Sequence, residues 1–348
     1  MKSLNIAIRA DGSAKIGMGH LMRCLSIAHA LQERQAQVLF ITNNEQSSEF
    51  ICEKGFACEV LKGVNRDMNE EIDDTLNILR EKSVCLLLVD SYQASKNYLM
   101  QLNQAVPVFY MDDLGRMGLP VSGLINYNIY GQSMGYEEQY HESTRLLLGS
   151  RYAPVKEAFR TTAYEVREKV SNILITMGGS DMLNIAGNLG EILLKVLPKD
   201  VTLTLVCGRF SPHLEKVREM AKQAKERVHV LTNVSDMWNV MQQCDLVIAA
   251  AGSTMYELCT MGVPTICCYY VENQRRMAEY FGSKTSMLNA GDFSENPEKV
   301  LESIQDDTLK LVKNTSMRKQ LSKEMQEVTD GMGAWRIADA LMEFVALK

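Results

Sequence analysis

Short, continuously apolar runs alternate along this chain with stretches whose apolar residues recur every three to four positions. Runs at Leu4–Ala10, Gln37–Thr42, Val84–Val89 and Val106–Met111 read as strands, with weaker ones at Ala57–Leu61, Gly123–Asn126 and Arg145–Leu148. The pattern restarts with Asn172–Thr176, Val201–Val206, Arg227–Leu231, Asp245–Ala249 and Pro264–Cys268. Strands that are apolar throughout belong in parallel sheets covered on both faces. The segments between them carry helical spacing; Leu21, Cys24, Leu25, Ala28 and Leu31 share one face. Strand and helix in strict alternation predict an α/β protein. A strand-poor, charge-rich segment, Ser150 to Val170, separates two such series. The expected architecture is therefore two doubly wound, Rossmann-like domains facing across a cleft, 1–155 and 165–332. A last helix, 333–348, is expected to cross back toward the first.

In doubly wound sheets ligands bind beyond the carboxyl ends of the strands, so the strand-to-helix loops carry the candidate chemistry. After the first strand comes Ile16-Gly17-Met18-Gly19-His20, directly before the first helical run. Gly17 and Gly19 lack a Cβ, which lets a ligand approach the backbone and permits positive φ. The unpaired N–H groups of a helix start favour anions, and His20 there is the candidate proton acceptor. A tight turn with a capping or surface histidine fits the same residues. A dinucleotide fingerprint does not: Met22 stands where the third glycine is needed, and the second strand ends in Asn43-Asn44 rather than an acid. Asp11, close in sequence, is the residue expected to orient the ring.

The second series supplies two further loops, Gly178-Gly179-Ser180-Asp181 and Ala250-Ala251-Gly252-Ser253-Thr254. Each combines pliant backbone, hydroxyl donors and a helix N-terminus, which suits phosphate, though neither is a Walker loop because G-K-[ST] is missing. Glu257 has two readings. Thr254-Met255-Tyr256-Glu257 has capping-box spacing, and a carboxylate there could equally accept from a ribose diol. Asn273 is an N-cap candidate that, with Gln274, also follows a strand end on the same rim. In the first series Val89-Asp90-Ser91-Tyr92 and Tyr110-Met111-Asp112-Asp113 end buried strands in polar groups, which serve either loop capping or a sugar site rich in paired donors and acceptors. No D-x-D occurs, so a metal-bridged diphosphate is not indicated, and the helix ends would have to stabilise that charge.

The 348 residues allow two domains of ordinary size. A net charge of −6 without a basic cluster gives no footprint for nucleic acid. No run approaches the ~20 apolar residues of a membrane span, and the start lacks a signal-peptide pattern, so a cytoplasmic protein without membrane insertion is expected. Nine cysteines without C-x-x-C spacing, beside only five histidines, argue for reduced thiols rather than a zinc site.

These residues together resemble the UDP-sugar hydrolases of pseudaminic acid biosynthesis, enzymes acting on a UDP-linked 2,4-diacetamido-2,4,6-trideoxy-altrose, with spore-coat polysaccharide proteins as a neighbouring branch. The resemblance rests on Arg9-Ala10-Asp11-Gly12-Ser13, Gly17-Met18-Gly19-His20, Arg23, Asp90-Ser91-Tyr92, Met111-Asp112-Asp113-Leu114, Ile125-Asn126 and Leu148-Gly149-Ser150-Arg151-Tyr152. It continues through Gly178-Gly179-Ser180-Asp181, Ala251-Gly252-Ser253-Thr254, Glu257 and Asp330-Gly331-Met332-Gly333. It implies a GT-B fold, with the sugar on the first domain and UDP on the second. It implies His20 as the catalytic histidine, Tyr92 in the sugar pocket and Glu257 on the ribose. Gly179, Ser180, Gly252, Ser253 and Thr254 would hold uracil and diphosphate. The wider expected substrate-binding set adds Arg9, Asp11, Gly17, Gly19, Asn273 and Gln274. The expected reaction is inverting water attack at the anomeric carbon by a monomer that needs neither metal nor cofactor. Its rivals are a GT-B glycosyltransferase for a surface or spore-coat polysaccharide and a non-catalytic nucleotide-sugar binding protein.

Overall fold

Burial on both faces turns the apolar runs into two parallel sheets. The computed structural model describes residues 4–12, 18–61, 67–179, 181–208 and 211–347. They form two units, Met1–Lys156 with Met332–Lys348, and Glu157–Gly331.

The first unit runs β1 (Asn5–Ala10), α1 (Gly19–Glu33), β2 (Gln37–Thr42), α2 (Glu45–Glu53), β3 (Ala57–Val60), α3 (Ile72–Glu81), β4 (Leu86–Asp90) and α4 (Lys96–Ala105). It continues with β5 (Val108–Met111), β6 (Gly123–Asn126), α5 (Tyr136–Gln139) and β7 (Arg145–Leu148). The seven strands lie in the order β3-β2-β1-β4-β5-β6-β7. β4, apolar up to its last residue, is buried along its whole length, as a central parallel strand must be. The five residues assigned to one face of α1 are all buried. Helix starts are fixed locally by short polar side chains: Asn44 and Ser95 accept from the N–H groups of Ser47 and Tyr98.

The second unit comprises α6 (Glu157–Thr161), β8 (Asn172–Thr176), α7 (Ile185–Val196), β9 (Thr202–Cys207), α8 (Leu214–Ala224), β10 (Val228–Thr232), α9 (Met237–Gln242) and β11 (Leu246–Ala250). There follow α10 (Thr254–Met261), β12 (Thr265–Tyr269), α11 (Glu272–Lys284), β13 (Leu288–Asp292), α12 (Pro297–Lys313) and α13 (Thr315–Val328). Its strand order is β10-β9-β8-β11-β12-β13. β13 was not foreseen. Leu-Asn-Ala-Gly-Asp has no apolar run, because this edge strand is only half-buried throughout.

The last helix, α14 (Gly333–Ala346), lies in the first unit and packs on α1. Trp335 Nε1 donates to Glu33 at 2.7 Å, and Phe344 meets Phe109 edge-on at 5.2 Å. No helix among the described residues is long and apolar enough to cross a membrane.

Both sheets reverse direction at the same place in their topology. From β1 the chain first winds outward to β2 and β3, then returns to place β4 on the other side of β1; β8, β9, β10 and β11 repeat this. Loops leaving the carboxyl ends of such a central pair diverge and open a crevice. In the first unit Ala10 pairs with Asp90, so β1 and β4 end at the same level. His20 and Asp90 both follow from that point.

Candidate active site

His20 is the second residue of α1 and is buried. Its Nδ1 lies 2.7 Å from Asp90 Oδ1, at the tip of β4. Asp90, not Asp11, orients the ring. Asp11 is turned inward, where it binds Arg9 at 2.5 Å and accepts from Thr42 Oγ1 and the Asn43 N–H at 2.7 and 2.9 Å. Arg9 is fully buried, with its second amino group on Glu71 at 2.8 Å. The expectation that Arg9 and Asp11 touch substrate is therefore corrected: both are consumed in a buried ion cluster supporting the end of β1.

Arg23, one helical turn beyond His20, organises the rest. Its Nε and Nη2 each lie 2.5 Å from one oxygen of Asp90, a bidentate fork, while Nη1 donates to Asp113 at 2.6 Å and to the Tyr127 hydroxyl at 2.7 Å. Burial opposes ionisation of Asp90, but the charge and hydrogen bonds of Arg23, and then His20, outweigh it and hold this carboxyl well below the ordinary carboxylate range. Nδ1 of His20 is also 3.1 Å from Arg23 Nη2. A guanidinium can only donate and a carboxylate can only accept, so the two contacts favour opposite tautomers. The shorter contact, to the Asp90 carboxylate, decides for Nδ1–H. Nε2 then carries the free lone pair.

Tyr92, the expected sugar-pocket residue, meets His20 edge-on with ring centroids 4.6 Å apart and is 42% exposed. Its hydroxyl donates to Asp113 at 3.0 Å; burial and that carboxylate push it far up, so it remains a donor. Asp112 does what loop capping requires. It accepts from the N–H groups of Leu114 and Arg116 at 2.9 and 2.7 Å and from Tyr136 at 2.7 Å. Of the paired acids, then, one builds the loop and the other faces the histidine cluster.

Gly17 and Ser180 lie outside the described residues. Gly19 is helical rather than at positive φ, and a Cβ there would meet nothing within 4 Å, as is also true of Gly179 and Gly252. The two loops of the second unit are less alike than their sequences. At α7 the Asp181 carboxylate accepts from the Ile185 and Ala186 N–H groups at 2.8 and 3.0 Å, so this helix start already holds an anion of its own. The Ile185 and Ala186 N–H groups are therefore taken, and a ligand at this loop would meet the backbone before them, at Gly179. At α10 the N-cap is Ser253, whose own side chain makes no capping hydrogen bond. Thr254 is therefore the first helical residue, and the capping box with Glu257 does not form; Glu257 sits one turn into the helix, half-buried. Asn273 is not an N-cap either, because that position is Val271. Asn273 is exposed, while Gln274 accepts from the Tyr270 N–H at 3.3 Å.

Sequence reasoning did not single out Gly208. A Cβ there would stand 1.6 Å from the Gly179 carbonyl oxygen, so the end of β9 and the β8–α7 loop touch backbone to backbone. Nor did it give Arg23 a role or join Asp90 and Asp113 to His20; the acids' signal was polar groups ending buried strands, with no indication of which would meet.

Residues 172–332 match the glycosyltransferase family 28 C-terminal domain. The chain is 27% identical to the spore coat polysaccharide biosynthesis protein SpsG of Bacillus subtilis, covering 98% of each. It is 25% identical to the UDP-2,4-diacetamido-2,4,6-trideoxy-beta-L-altropyranose hydrolase of Campylobacter jejuni, over 81% of this chain and 97% of that enzyme. A UDP-glucosyltransferase from Polygonum tinctorium superposes with a TM-score of 0.72 at 13% identity, covering 99% of each chain. The chain thus has the GT-B fold and is a relative of both the UDP-diacetamido-trideoxy-altropyranose hydrolase and the spore coat polysaccharide biosynthesis protein.

Proposed function

We propose that this protein is an enzyme that hydrolyses a UDP-linked 2,4-diacetamido-trideoxy sugar to UDP and the free sugar, with inversion, in nonulosonic (pseudaminic) acid biosynthesis. The observation that carries the reading is the His20–Asp90 pair: a ring whose Nδ1 is held at 2.7 Å by a buried carboxylate presents Nε2 as a proton acceptor. The relationship to the Campylobacter enzyme supplies the substrate class.

In this reaction UDP is held by the second unit, its diphosphate at the start of α10 around Gly252, Ser253 and Thr254, and its ribose diol on Glu257. The sugar lies against Tyr92. A water attacks the anomeric carbon while its proton passes to His20 Nε2. The bond from that carbon to the diphosphate oxygen breaks, and its electron pair leaves on UDP. N–H groups at a helix start stabilise this growing charge, and a positioned base contributes typically about 10²–10⁴ in rate.

The second reading is transfer of the sugar to an acceptor hydroxyl, favoured by the match of residues 172–332 to a glycosyltransferase domain. Proton NMR of the protein with the UDP-linked diacetamido-trideoxy-altrose and no acceptor separates the two. UDP and free sugar appearing together, the first-formed anomer inverted, establishes hydrolysis. Substrate that stays intact until an acceptor is added establishes transfer and refutes the hydrolase reading.

A further inference from the structure

We infer that Arg23 is a positioning residue that sets the histidine and the sugar-facing tyrosine through one side chain. The inference rests on His20 as the proton acceptor of the proposed reaction, and adds a residue to it. Arg23 reaches two carboxylates at once. Its fork binds both oxygens of Asp90, which fixes the plane of that carboxylate and so the direction in which Oδ1 meets His20 Nδ1. Its remaining amino group binds Asp113 Oδ2, the same oxygen that accepts from Tyr92. Tyr92 in turn packs edge-on against His20, which closes a ring of contacts: His20, Asp90, Arg23, Asp113, Tyr92, His20.

Charge explains why the centre of this ring must be an arginine. Asp90 is fully buried, and Asp113 is 16% exposed. Two carboxylates in one low-dielectric site repel unless a cation sits between them, and only a guanidinium offers a planar fork for one and a third donor for the other. Tyr127 accepts from the same amino group, and the Cys24 thiol, below the cluster, donates to Asp90 Oδ2 at 3.4 Å. These neutral partners orient the ions without balancing them. With Arg23 removed, Asp90 is free to rotate, Nδ1 loses its single fixed acceptor, and both ring nitrogens become equivalent in their claim on the proton.

The test combines kinetics with the nitrogen NMR of the His20 ring, in wild type and in Arg23→Gln, Arg23→Lys, Asp90→Asn and the Arg23→Gln/Asp90→Asn double variant. Wild type is expected to show the Nδ1–H form. Arg23→Gln is expected to show a mixture of tautomers and a roughly 10²-fold lower kcat, with UDP affinity unchanged because UDP belongs to the other unit. Arg23→Lys keeps the charge without the fork and is expected to fall between. The double variant is expected to be about as slow as Asp90→Asn alone, since both changes remove one arrangement. Losses that multiply in the double variant, or a single tautomer persisting in Arg23→Gln, overturn the inference. If Arg23→Gln fails to fold, Arg23→Lys carries the test, and a wild-type kcat and tautomer there overturn it equally. A tautomer that responds to Arg23 in a protein that turns over no UDP-sugar refutes the proposed reaction while leaving the positioning role intact.

Discussion

The two sheets share a topology and differ in what stands at their reversal points. Beyond β1 and β4 of the first unit are a histidine, an arginine and two acids, hydrogen-bonded into one cluster. Beyond β8 and β11 of the second are glycines, small hydroxyls and a helix start. The same frame thus holds a charged constellation suited to proton transfer in one unit and a neutral backbone cradle suited to an anion in the other. Side chains that move protons need fixed neighbours, so the first unit spends its polar groups on one another. At the start of α10 the Gly252, Met255 and Tyr256 N–H groups turn back onto backbone carbonyls, so an anion bound there would be met first by Ser253 and Thr254.

This contrast can be broken in four ways. The largest effect is expected from His20→Asn: kcat about 10²–10⁴-fold lower with UDP affinity unchanged by calorimetry. Equal loss of both would mean that the first unit also holds the nucleotide, and the division of labour would be wrong. Asp90→Asn comes next. It leaves Arg23 short of a buried partner, which typically costs about 3–5 kcal/mol in denaturant unfolding at pH 7. Because the folded-state pKa of Asp90 is depressed, its contribution is fully present above the unfolded carboxylate value near ~3.9 and is lost as pH falls through the folded value. The stability gap between wild type and Asp90→Asn is therefore expected to narrow on acidification below about pH 4. A gap that widens there would contradict the charge assignment.

Gly208→Ala tests the cradle. The added carbon meets backbone rather than a flexible side chain. A loss of about 1–3 kcal/mol in thermal unfolding is expected, together with weaker UDP binding. Unchanged UDP affinity would place the nucleotide away from the Gly179 loop. Asp181→Ala is the mildest. It removes the α7 cap, expected to cost about 0.5–2 kcal/mol in a melting experiment and to leave kcat near wild type. If instead UDP binding disappeared with that cap, the Asp181 carboxylate would be shaping the nucleotide site and its role as a cap alone would fail.

Much of the fold is legible in the sequence. Runs apolar throughout can only be buried strands of a parallel sheet or short buried helices, and their length selected strands; observed ends differ from the expected ones by two residues or fewer. β13 escaped because an edge strand needs no continuous apolar run. The place of His20 at the start of a helix was legible from the strand before it and the helical spacing after it. The partner of His20 was not. Asp90 is 70 residues away, and Asp11, nearer in sequence, was the plausible choice; the strand register that pairs Ala10 with Asp90 made the difference. Capping-box spacing at Thr254–Glu257 misled for a related reason, because the box works only when the helix begins one residue later than it does.

By itself, then, the sequence determined the two parallel sheets, their helices and the loops where chemistry belongs, because burial and backbone geometry act over a few residues and leave a periodic trace. The tertiary structure alone decided which acid holds His20, that Arg23 joins two carboxylates, that Arg9 is sealed inside, and that Asp181 caps α7. Those facts depend on the direction of a side chain at a strand end and on distances between residues far apart in the chain, and no local pattern of hydrophobicity encodes either.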